Sequence, residues 1–363
     1  MNNKFTMKIR KSFTPCPVYV DGLSRSGKAA VGVALASLKR TEHILTRNIL
    51  DRLFTLYSLG LLDRNAAIDS MITESDFKLW FNYLGRNLNT NIHDFTSVLN
   101  SRDPDMYKKR MNNQDNNETF EEFLAFLNKE KPITLDCTDE MLYESDLFFE
   151  AFENLFIVAV MRHPVDIAFG WHRTGRGNNY GVDPRTIHPT LLVEGKNVPI
   201  FAKDWAKEYI EMEPINRVLK IITILTTKYY DYIENLPEER KKSVYVLSFE
   251  NFVTDPHPIL EHICNLLGTG YSKSTPSMLE KANLPRKLNH ESFFKKFFGL
   301  KNNGSEKLLD DFFDSCKRYE KMFDTPFRIN EAVEDKSFNY SNDFNLYFKR
   351  PFYDSGKRVE DKN

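Results

Sequence analysis

Residues 22–30 (GLSRSGKAA) carry the most specific chemical pattern in the chain. Gly22, Gly27 and Lys28 follow the spacing G-x-x-x-x-G-K, in which backbone N–H groups of a glycine-rich turn surround phosphate oxygens and the lysine binds the outer ones. Position 29 is alanine, whereas nucleoside triphosphatases carry a Ser or Thr there whose hydroxyl holds Mg²⁺. This segment, the phosphate loop, therefore predicts an anion site without a magnesium ligand. A plain glycine turn with a solvent-facing lysine is the alternative.

A second basic residue, Arg162, directly follows the apolar run 155–161. An arginine at the carboxyl end of a parallel strand lies where doubly wound sheets bind their ligands, and its planar fork suits a phosphate. Pairing of Arg162 with Asp166 at a helix start is the alternative. Two candidate anion contacts thus lie far apart in the sequence.

The segments around these residues alternate between strand-like and helix-like patterns. Short apolar or β-branched runs predict strands at 17–22, 155–161 and 243–247. Apolar residues at helical spacing predict helices at 28–38, 48–84 (two helices), 141–152, 215–233, 257–267 and 305–323. A long loop is expected at 171–199.

Strands separated by helices predict an α/β fold, here a three-layer parallel sheet of the P-loop type with helical insertions. We expect a single domain over residues 1–363. Its core would cover about 15–330, with a helical insertion at about 48–130 and a polar C-terminal tail at about 331–363.

Three motifs, in this order along the chain, resemble those of the sulfotransferase family. The phosphate loop is similar to the family motif that binds the 5′-phosphosulfate of 3′-phosphoadenosine 5′-phosphosulfate (PAPS). Arg162, Pro164 and Asp166 match the motif that binds the 3′-phosphate, although Gly170 stands where the family has a serine. Residues 243–256 look like the third segment, a strand followed by Phe-Glu-Asn-Phe and an Asp-Pro pair.

The resemblance implies a set of donor-binding residues. They are Arg25, Ser26, Gly27, Lys28, Ala29 and Ala30 in the phosphate loop, Arg162 and the Gly170 position in the second motif, and Arg286. Without the serine hydroxyl at Gly170, one 3′-phosphate contact is missing or comes from a neighbour. Arg286 and Lys287 resemble the late basic motif that closes over the 3′-phosphate and adenine, and a solvated basic pair is the alternative.

Transfer to an acceptor hydroxyl needs a general base. Glu42 and His43 follow the predicted helix 28–38, where a second strand would return to the site, and a glutamate there resembles the base of glycan sulfotransferases. Asp136 and Asp139 lie roughly where small-molecule sulfotransferases place their histidine. A solvated strand-end carboxylate is the alternative for Glu42, and helix capping is the alternative for the two aspartates.

The resemblance implies a PAPS-dependent sulfotransferase that works by single displacement. Lys28 and the N–H groups of residues 26–30 would stabilise the charge that builds on the bridging oxygen of the donor. PAPS would be the donor co-substrate, no metal is expected, and the acceptor would be a hydroxylated molecule, with carbohydrates as one class. Trp80, Trp171 and Trp205 are candidates for stacking on sugars, although such aromatics are more often core. A P-loop kinase of small molecules and a nucleotide-binding protein with weakened catalysis are the alternatives.

Composition argues against several other classes of protein. The formal net charge of −1 disfavours a nucleic-acid partner. No run approaches the roughly 18 apolar residues of a membrane span, and the first residues lack the apolar core of a signal peptide. The four cysteines form no CxxC pair, which favours a reducing compartment over a disulfide framework or a zinc site. We therefore expect a soluble cytoplasmic enzyme, and the sequence leaves its oligomeric state open.

Overall fold

A computed structural model describes residues 7–46, 48–113 and 119–334. Its contacts divide the chain into two units. The first comprises Met1–Met161 and Asn235–Lys287, and the second comprises Arg162–Glu234 and Leu288–Asn363. The phosphate loop therefore belongs to the first unit, and Arg162 opens the second.

The first unit is built on a five-stranded parallel sheet. Its strands are β1 (Cys16–Asp21), β2 (Thr41–Thr46), β3 (Ile133–Cys137), β4 (Phe156–Met161) and β7 (Val244–Ser248). They lie in the order β2-β3-β1-β4-β7, and every neighbouring pair is parallel. The predicted α/β fold with a parallel sheet is confirmed, and β2 and β3 add two strands to the three that apolar runs indicated.

Burial on both faces explains why the central strands read as apolar runs. Every residue of β3 and β4 is buried, which is typical of a parallel sheet covered by helices on its two faces. The helices of this unit are α1 (Lys28–Ala36), α2 (Asn48–Ser58), α3 (Arg64–Tyr83), α4 (Pro104–Asn112), α5 (Phe120–Glu130), α6 (Asp146–Ala151), α10 (Glu238–Lys241), α11 (Phe249–Thr254), α12 (Pro256–Leu267) and α13 (Thr275–Lys281). Among them, α1 contacts β1, β2 and β3 directly.

Helices α2 to α5 are inserted between β2 and β3. The two amphipathic helices predicted over 48–84 are α2 and α3. Asp63 caps α3 by accepting two backbone N–H groups of its first turn, and Thr119 with Glu122 forms a capping box at the start of α5. The insertion also brings Tyr107 and Arg110 of α4 to strand β2.

The second unit consists of helices and one β-hairpin. Its elements are α7 (Pro164–Arg173), β5 (Thr190–Val193), β6 (Lys196–Pro199), α8 (Ala206–Glu211), α9 (Pro214–Glu234), α14 (His290–Asn303), α15 (Glu306–Phe323) and α16 (Ile329–Glu334). Helices α7, α9, α14 and α15 pack on one another around large buried aromatic side chains, including Trp171, Tyr229 and Phe312. No helix in the described part of the chain is both long and apolar enough to cross a membrane.

The predicted loop at 171–199 is wrong at both ends. Helix α7 continues to Arg173, and residues 190–199 form the antiparallel hairpin of β5 and β6. Glu194 and Gly195 connect the two strands with φ angles of +50° and +73°. Two consecutive residues with positive φ make the tight hairpin turn whose twist matches that of the strands. The signal was a single Glu-Gly pair among other turn residues, so the sequence pattern did not separate it from a loop.

Candidate phosphate-binding site

The phosphate loop connects β1 to α1, and its path depends on two glycines. Gly22 has φ +152° and Gly27 has φ +97°, values that residues with a Cβ rarely adopt. A Cβ at Gly22 would collide with the carbonyl oxygen of Val160, and a Cβ at Gly27 would collide with the ring of Phe249. The loop therefore lies directly against β4 and against the first residue after β7.

The N-terminus of α1 offers backbone donors to an anion. Its N-cap residue is Gly27, which has no side chain to accept from the first-turn N–H groups. The N–H groups of Ser26 and Ala30 are already bonded within the loop, at 2.9 and 3.0 Å. Those of residues 27–29 have no bonded partner among the described residues, and the helix dipole adds partial positive charge there. This geometry supports an anion site at the start of α1, with three rather than five backbone donors.

Lys28 is buried, and its ammonium group is held inside the loop. Nζ donates to the carbonyl oxygen of Gly22 and to Oδ1 of Asp139, the latter at 2.7 Å. Burial alone would lower the pKa of Lys28, but Asp139 and the other carboxylates nearby outweigh it and raise the pKa, so the group stays charged. A solvent-facing lysine is therefore excluded. An ammonium carries three N–H donors, so one remains for a ligand.

Four carboxylates form a cluster near the phosphate loop: three at or after the carboxyl ends of β1 and β3 act on Lys28, and one on α2 faces the other three. They are Asp21, Asp51, Asp139 and Glu140. Asp21 accepts the N–H groups of Met141 and Leu142 at 3.2 and 2.9 Å, and Glu140 accepts the N–H of Ser24 at 2.6 Å. These bonds tie the segment after β3 to β1 and to the phosphate loop. Asp21 and Glu140 thus have structural roles, which leaves Asp51 and Asp139 as candidates for chemistry.

The guanidinium of Arg286 lies over an aromatic ring that also faces the phosphate loop. Its guanidinium carbon lies 5.6 Å from the ring centroid of Phe249, a cation–π distance, and Phe249 is the ring that faces Gly27. The backbone N–H of Arg286 donates to Val253 at 2.7 Å. Arg286 and Gly27 therefore both lie against the ring of Phe249, and a contact of Arg286 with a donor stays a prediction.

Glu42 lies in a buried cluster of charged and aromatic side chains. Its carboxylate accepts the hydroxyl of Tyr107 at 2.6 Å and Nη1 of Arg110 at 2.9 Å, and Arg102 lies 3.8 Å away. Burial would raise the pKa of Glu42, but Arg110, Tyr107 and Arg102 together lower it. Because this carboxylate is fully buried, ionised and paired, the predicted role of Glu42 as a general base is disfavoured.

His43 and Asp136 are also enclosed by protein. Burial and the nearby charge of Lys78 lower the pKa of His43 to about 4, and neither ring nitrogen has a hydrogen-bond partner among the described residues. Asp136 pairs with Lys78 at 2.9 Å, and both side chains are almost completely buried. The Lys78–Asp136 pair joins α3 to β3, so the carboxylate of Asp136 is committed to it. His43 lies beside Lys78, Glu42 and Tyr107.

In the second unit, Arg162 pairs with Asp166 in the first turn of α7 at 3.5 Å. Asp166 also binds Lys296 of α14. Burial would raise the pKa of Asp166, and the two cations lower it instead. Arg162, which precedes the N-cap of α7, thus has the partner at the helix start that the alternative predicts, while its side chain stays 25% exposed. Gly170 lies in the last turn of α7.

Residues distant in sequence supply the contacts that sequence reasoning missed. Asp51 touches a partner 88 residues away, and Lys296 pairs with a residue 130 positions earlier. Asp51 is one polar residue of an ordinary amphipathic helix, and Lys296 is one of two adjacent lysines. No local motif marks either residue.

No cluster of three or more His, Cys, Asp or Glu side chains that could hold a metal ion is found within residues 7–46, 48–113 and 119–334. Near Lys28, Asp139 is paired with the lysine, Asp21 accepts backbone N–H groups, and Asp51 accepts one backbone N–H through Oδ1.

No family model and no curated protein matches the chain. Among solved structures it is similar to the sulfotransferase domain of the Synechococcus PCC 7002 olefin synthase, at 13% identity and a TM-score of 0.37 over 93% of this chain and 100% of that one. It is also similar to sulfotransferase STF9 from Mycobacterium avium (10% identity, TM-score 0.42, 87% and 78% covered). A sulfotransferase from Alicyclobacillus acidocaldarius gives 13% identity and a TM-score of 0.38, with 85% and 96% covered. Because these TM-scores lie below 0.5, function is inferred from the residues of the chain itself.

Proposed function

We propose that this chain is a sulfotransferase that binds PAPS on the phosphate loop and moves the sulfuryl group to an acceptor hydroxyl. The observation that carries this proposal is the uncapped start of α1 beside a buried, charged Lys28, with Ala29 in place of a magnesium-binding hydroxyl. A sulfuryl group carries less charge than a phosphoryl group, so its transfer depends less on a metal clamp. A loop that binds anions but lacks the magnesium ligand fits this chemistry better than phosphoryl transfer.

The donor would be held mainly by residues of the phosphate loop. Arg25 is exposed on the loop, with φ +75°, and the N–H groups of residues 27–29 point from the start of α1. The order of the three motifs supports Arg162 as a contact for the 3′-phosphate and Arg286 as a contact for the 3′-phosphate or adenine. Gly170 provides no side chain there, so Arg162 would supply most of the counter-charge.

Transfer would proceed by single displacement at sulfur. The acceptor oxygen forms the new S–O bond while the bond from sulfur to the bridging oxygen of the donor breaks, and adenosine 3′,5′-bisphosphate leaves with the electron pair. The third N–H of Lys28 and the backbone donors at the start of α1 would stabilise the charge on the leaving oxygen. Such preorganised donors typically contribute a factor of about 10²–10³ in rate.

The acceptor is proposed to be a hydroxylated molecule, with carbohydrates as the first class to test. The tryptophans give this class little support. Trp171 is completely buried, and Trp80 packs edge-on against Phe123 at 4.9 Å between ring centroids. Trp205 packs on Tyr209 and faces the ammonium of Lys220. Phenols therefore belong in the same acceptor screen.

The test is transfer of ³⁵S from labelled PAPS, in EDTA, to a panel of saccharides and phenols. Wild type should label at least one acceptor class, and Lys28→Ala should lower the rate by about 10²–10³. Lys39→Ala is the matched control, because Lys39 is exposed beyond the other end of α1. Phosphate transfer from ATP that requires Mg²⁺ would instead indicate a kinase. Binding of the bisphosphate without transfer to any acceptor would indicate a nucleotide-binding protein with weakened catalysis.

A further inference from the structure

Asp51 of α2 is a buried carboxylate, and only one of its two oxygens has a hydrogen-bond partner among the described residues. It is 5% exposed, and Oδ1 accepts the backbone N–H of Asp139 at 3.3 Å. Oδ2 is buried and has no hydrogen-bond partner among the described residues. An ionised oxygen left without a donor costs considerable free energy, so such a group calls for a proton or a ligand.

The surroundings of Asp51 favour a proton on it. Burial raises its pKa, and the negative charge of Asp139 raises it further, as do Asp21 and Glu140. The ammonium of Lys28 pairs with Asp139 at 2.7 Å. The titratable and charged groups that face Asp51 are Asp21 on β1, Cys137 at the end of β3, and Asp139 and Glu140 after it.

We propose that Asp51 is the general base that takes the proton of the acceptor hydroxyl. Its position supports this role, because Asp51 contacts the residue that holds the lysine of the phosphate loop and keeps one oxygen uncommitted. The assignment rests on the proposed sulfotransferase function. It replaces Glu42, whose carboxylate is committed to Tyr107 and Arg110.

The O–H bond of the acceptor breaks, its proton moves to Oδ2 of Asp51, and its electron pair forms the bond to sulfur. The bond from sulfur to the bridging oxygen breaks, and adenosine 3′,5′-bisphosphate leaves with that pair. Asp51 then releases its proton to solvent. Asp139 keeps Lys28 in place, so it acts as a positioning residue.

The experiment uses water as the acceptor, so it does not depend on the natural one. Hydrolysis of PAPS to the bisphosphate and sulfate is followed in EDTA for wild type, Asp51→Asn, Asp51→Glu and the control Asp105→Asn. Asp105 is an exposed aspartate on α4, outside the cluster. Binding of adenosine 3′,5′-bisphosphate is measured by calorimetry on the same samples.

Asp51→Asn should slow hydrolysis about 10²–10⁴-fold, while its affinity for the bisphosphate stays within about threefold of wild type. Asp51→Glu should recover part of the rate, and Asp105→Asn should match wild type. Hydrolysis by Asp51→Asn at more than about a tenth of the wild-type rate would overturn the assignment. So would a wild type that binds the bisphosphate without accelerating hydrolysis, because a base at this position would activate water.

The pH profile separates a base from a merely structural carboxylate. The wild-type rate should rise with pH as Asp51 loses its proton, and this limb should be absent in Asp51→Asn. If Asp51→Asn does not fold, wild type is compared with Asp51→Glu. The pH at which the hydrolysis rate rises must differ between these two proteins if this residue is the base. An unchanged limb would contradict the assignment. A wild type that does not bind the bisphosphate at all would instead remove the proposed function itself.

Discussion

Two buried carboxylates of the first unit, Glu42 and Asp51, have opposite surroundings. Glu42 is 0% exposed and accepts from Arg110 and Tyr107, and its pKa is lowered. Asp51 is 5% exposed and faces other carboxylates, and its pKa is raised. Burial has the same sign for both, so the difference comes from the charge of their neighbours. The comparison shows that a buried acid can either join elements together or remain available to bind a proton.

The largest expected effect is the loss of stability in Glu42→Gln. The substitution keeps the size of the side chain but leaves Arg110 and Arg102 without their counter-charge. Removing one partner of a buried ion pair typically costs about 3–5 kcal/mol in the free energy of unfolding. Urea unfolding of wild type, Glu42→Gln and Asp51→Asn measures it. The free energy of unfolding of Asp51→Asn should not fall below that of wild type at neutral pH. A larger decrease in Asp51→Asn than in Glu42→Gln would contradict the assigned surroundings of the two carboxylates.

A smaller loss is expected for Tyr107→Phe. The hydroxyl of Tyr107 donates to Glu42 at 2.6 Å and accepts the backbone N–H of His43 at 2.9 Å. Hydrogen bonds to charged groups typically contribute about 1.5–3 kcal/mol, and the unfolding free energy should fall by that amount. Tyr57→Phe is the control, because no hydrogen bond of the Tyr57 hydroxyl is found in the described residues; it should stay within about 0.5 kcal/mol of wild type. Equal losses in the two variants would mean that Tyr107 does not stabilise Glu42.

The smallest effect is a dependence of stability on pH that has opposite signs at the two sites. The folded pKa of Asp51 is raised, so above about pH 3.9 the folded state keeps a proton that the unfolded chain has lost. Wild type should then lose stability relative to Asp51→Asn as pH rises toward the folded pKa, by at most about 1.4 kcal/mol per pH unit.

Glu42 should show the reverse trend. Its folded pKa is lowered, so its stabilisation is present above about pH 4.3 and is lost as pH falls toward the folded pKa. The stability gap between wild type and Glu42→Gln should therefore narrow with acid. Urea unfolding at several pH values tests both trends, and equal signs at the two sites would contradict the assigned surroundings.

Local patterns of apolar residues predicted several strands and helices of the fold. The apolar runs at 155–161 and 243–247 and the apolar helix after Lys28 predicted β4, β7 and α1 to within one or two residues. The turn between β1 and α1 could be predicted because its pattern consists of residues close together in the sequence, namely glycines at two positions and one lysine. Helix α14 was not predicted, because its phenylalanines and lysines are spaced closely and Gly299 interrupts the pattern.

The chemistry of individual acids could not be read in the same way. Glu42 looked like a candidate base because the sequence did not show Tyr107 and Arg110, which come from α4, 65 and 68 residues later. Asp51 looked like an ordinary helix residue because Asp139 lies 88 residues away. The pKa of a buried carboxylate depends on neighbours that only the tertiary structure brings together.

The most direct test of the account is calorimetric titration with adenosine 3′,5′-bisphosphate in EDTA. Wild type should bind one equivalent without a metal. Lys28→Ala and Arg162→Ala should each weaken binding at least about tenfold, or about 1.4 kcal/mol, and Lys39→Ala should have no effect. Absence of binding, or binding only of ATP and only with Mg²⁺, would contradict the assignment of the phosphate loop to PAPS.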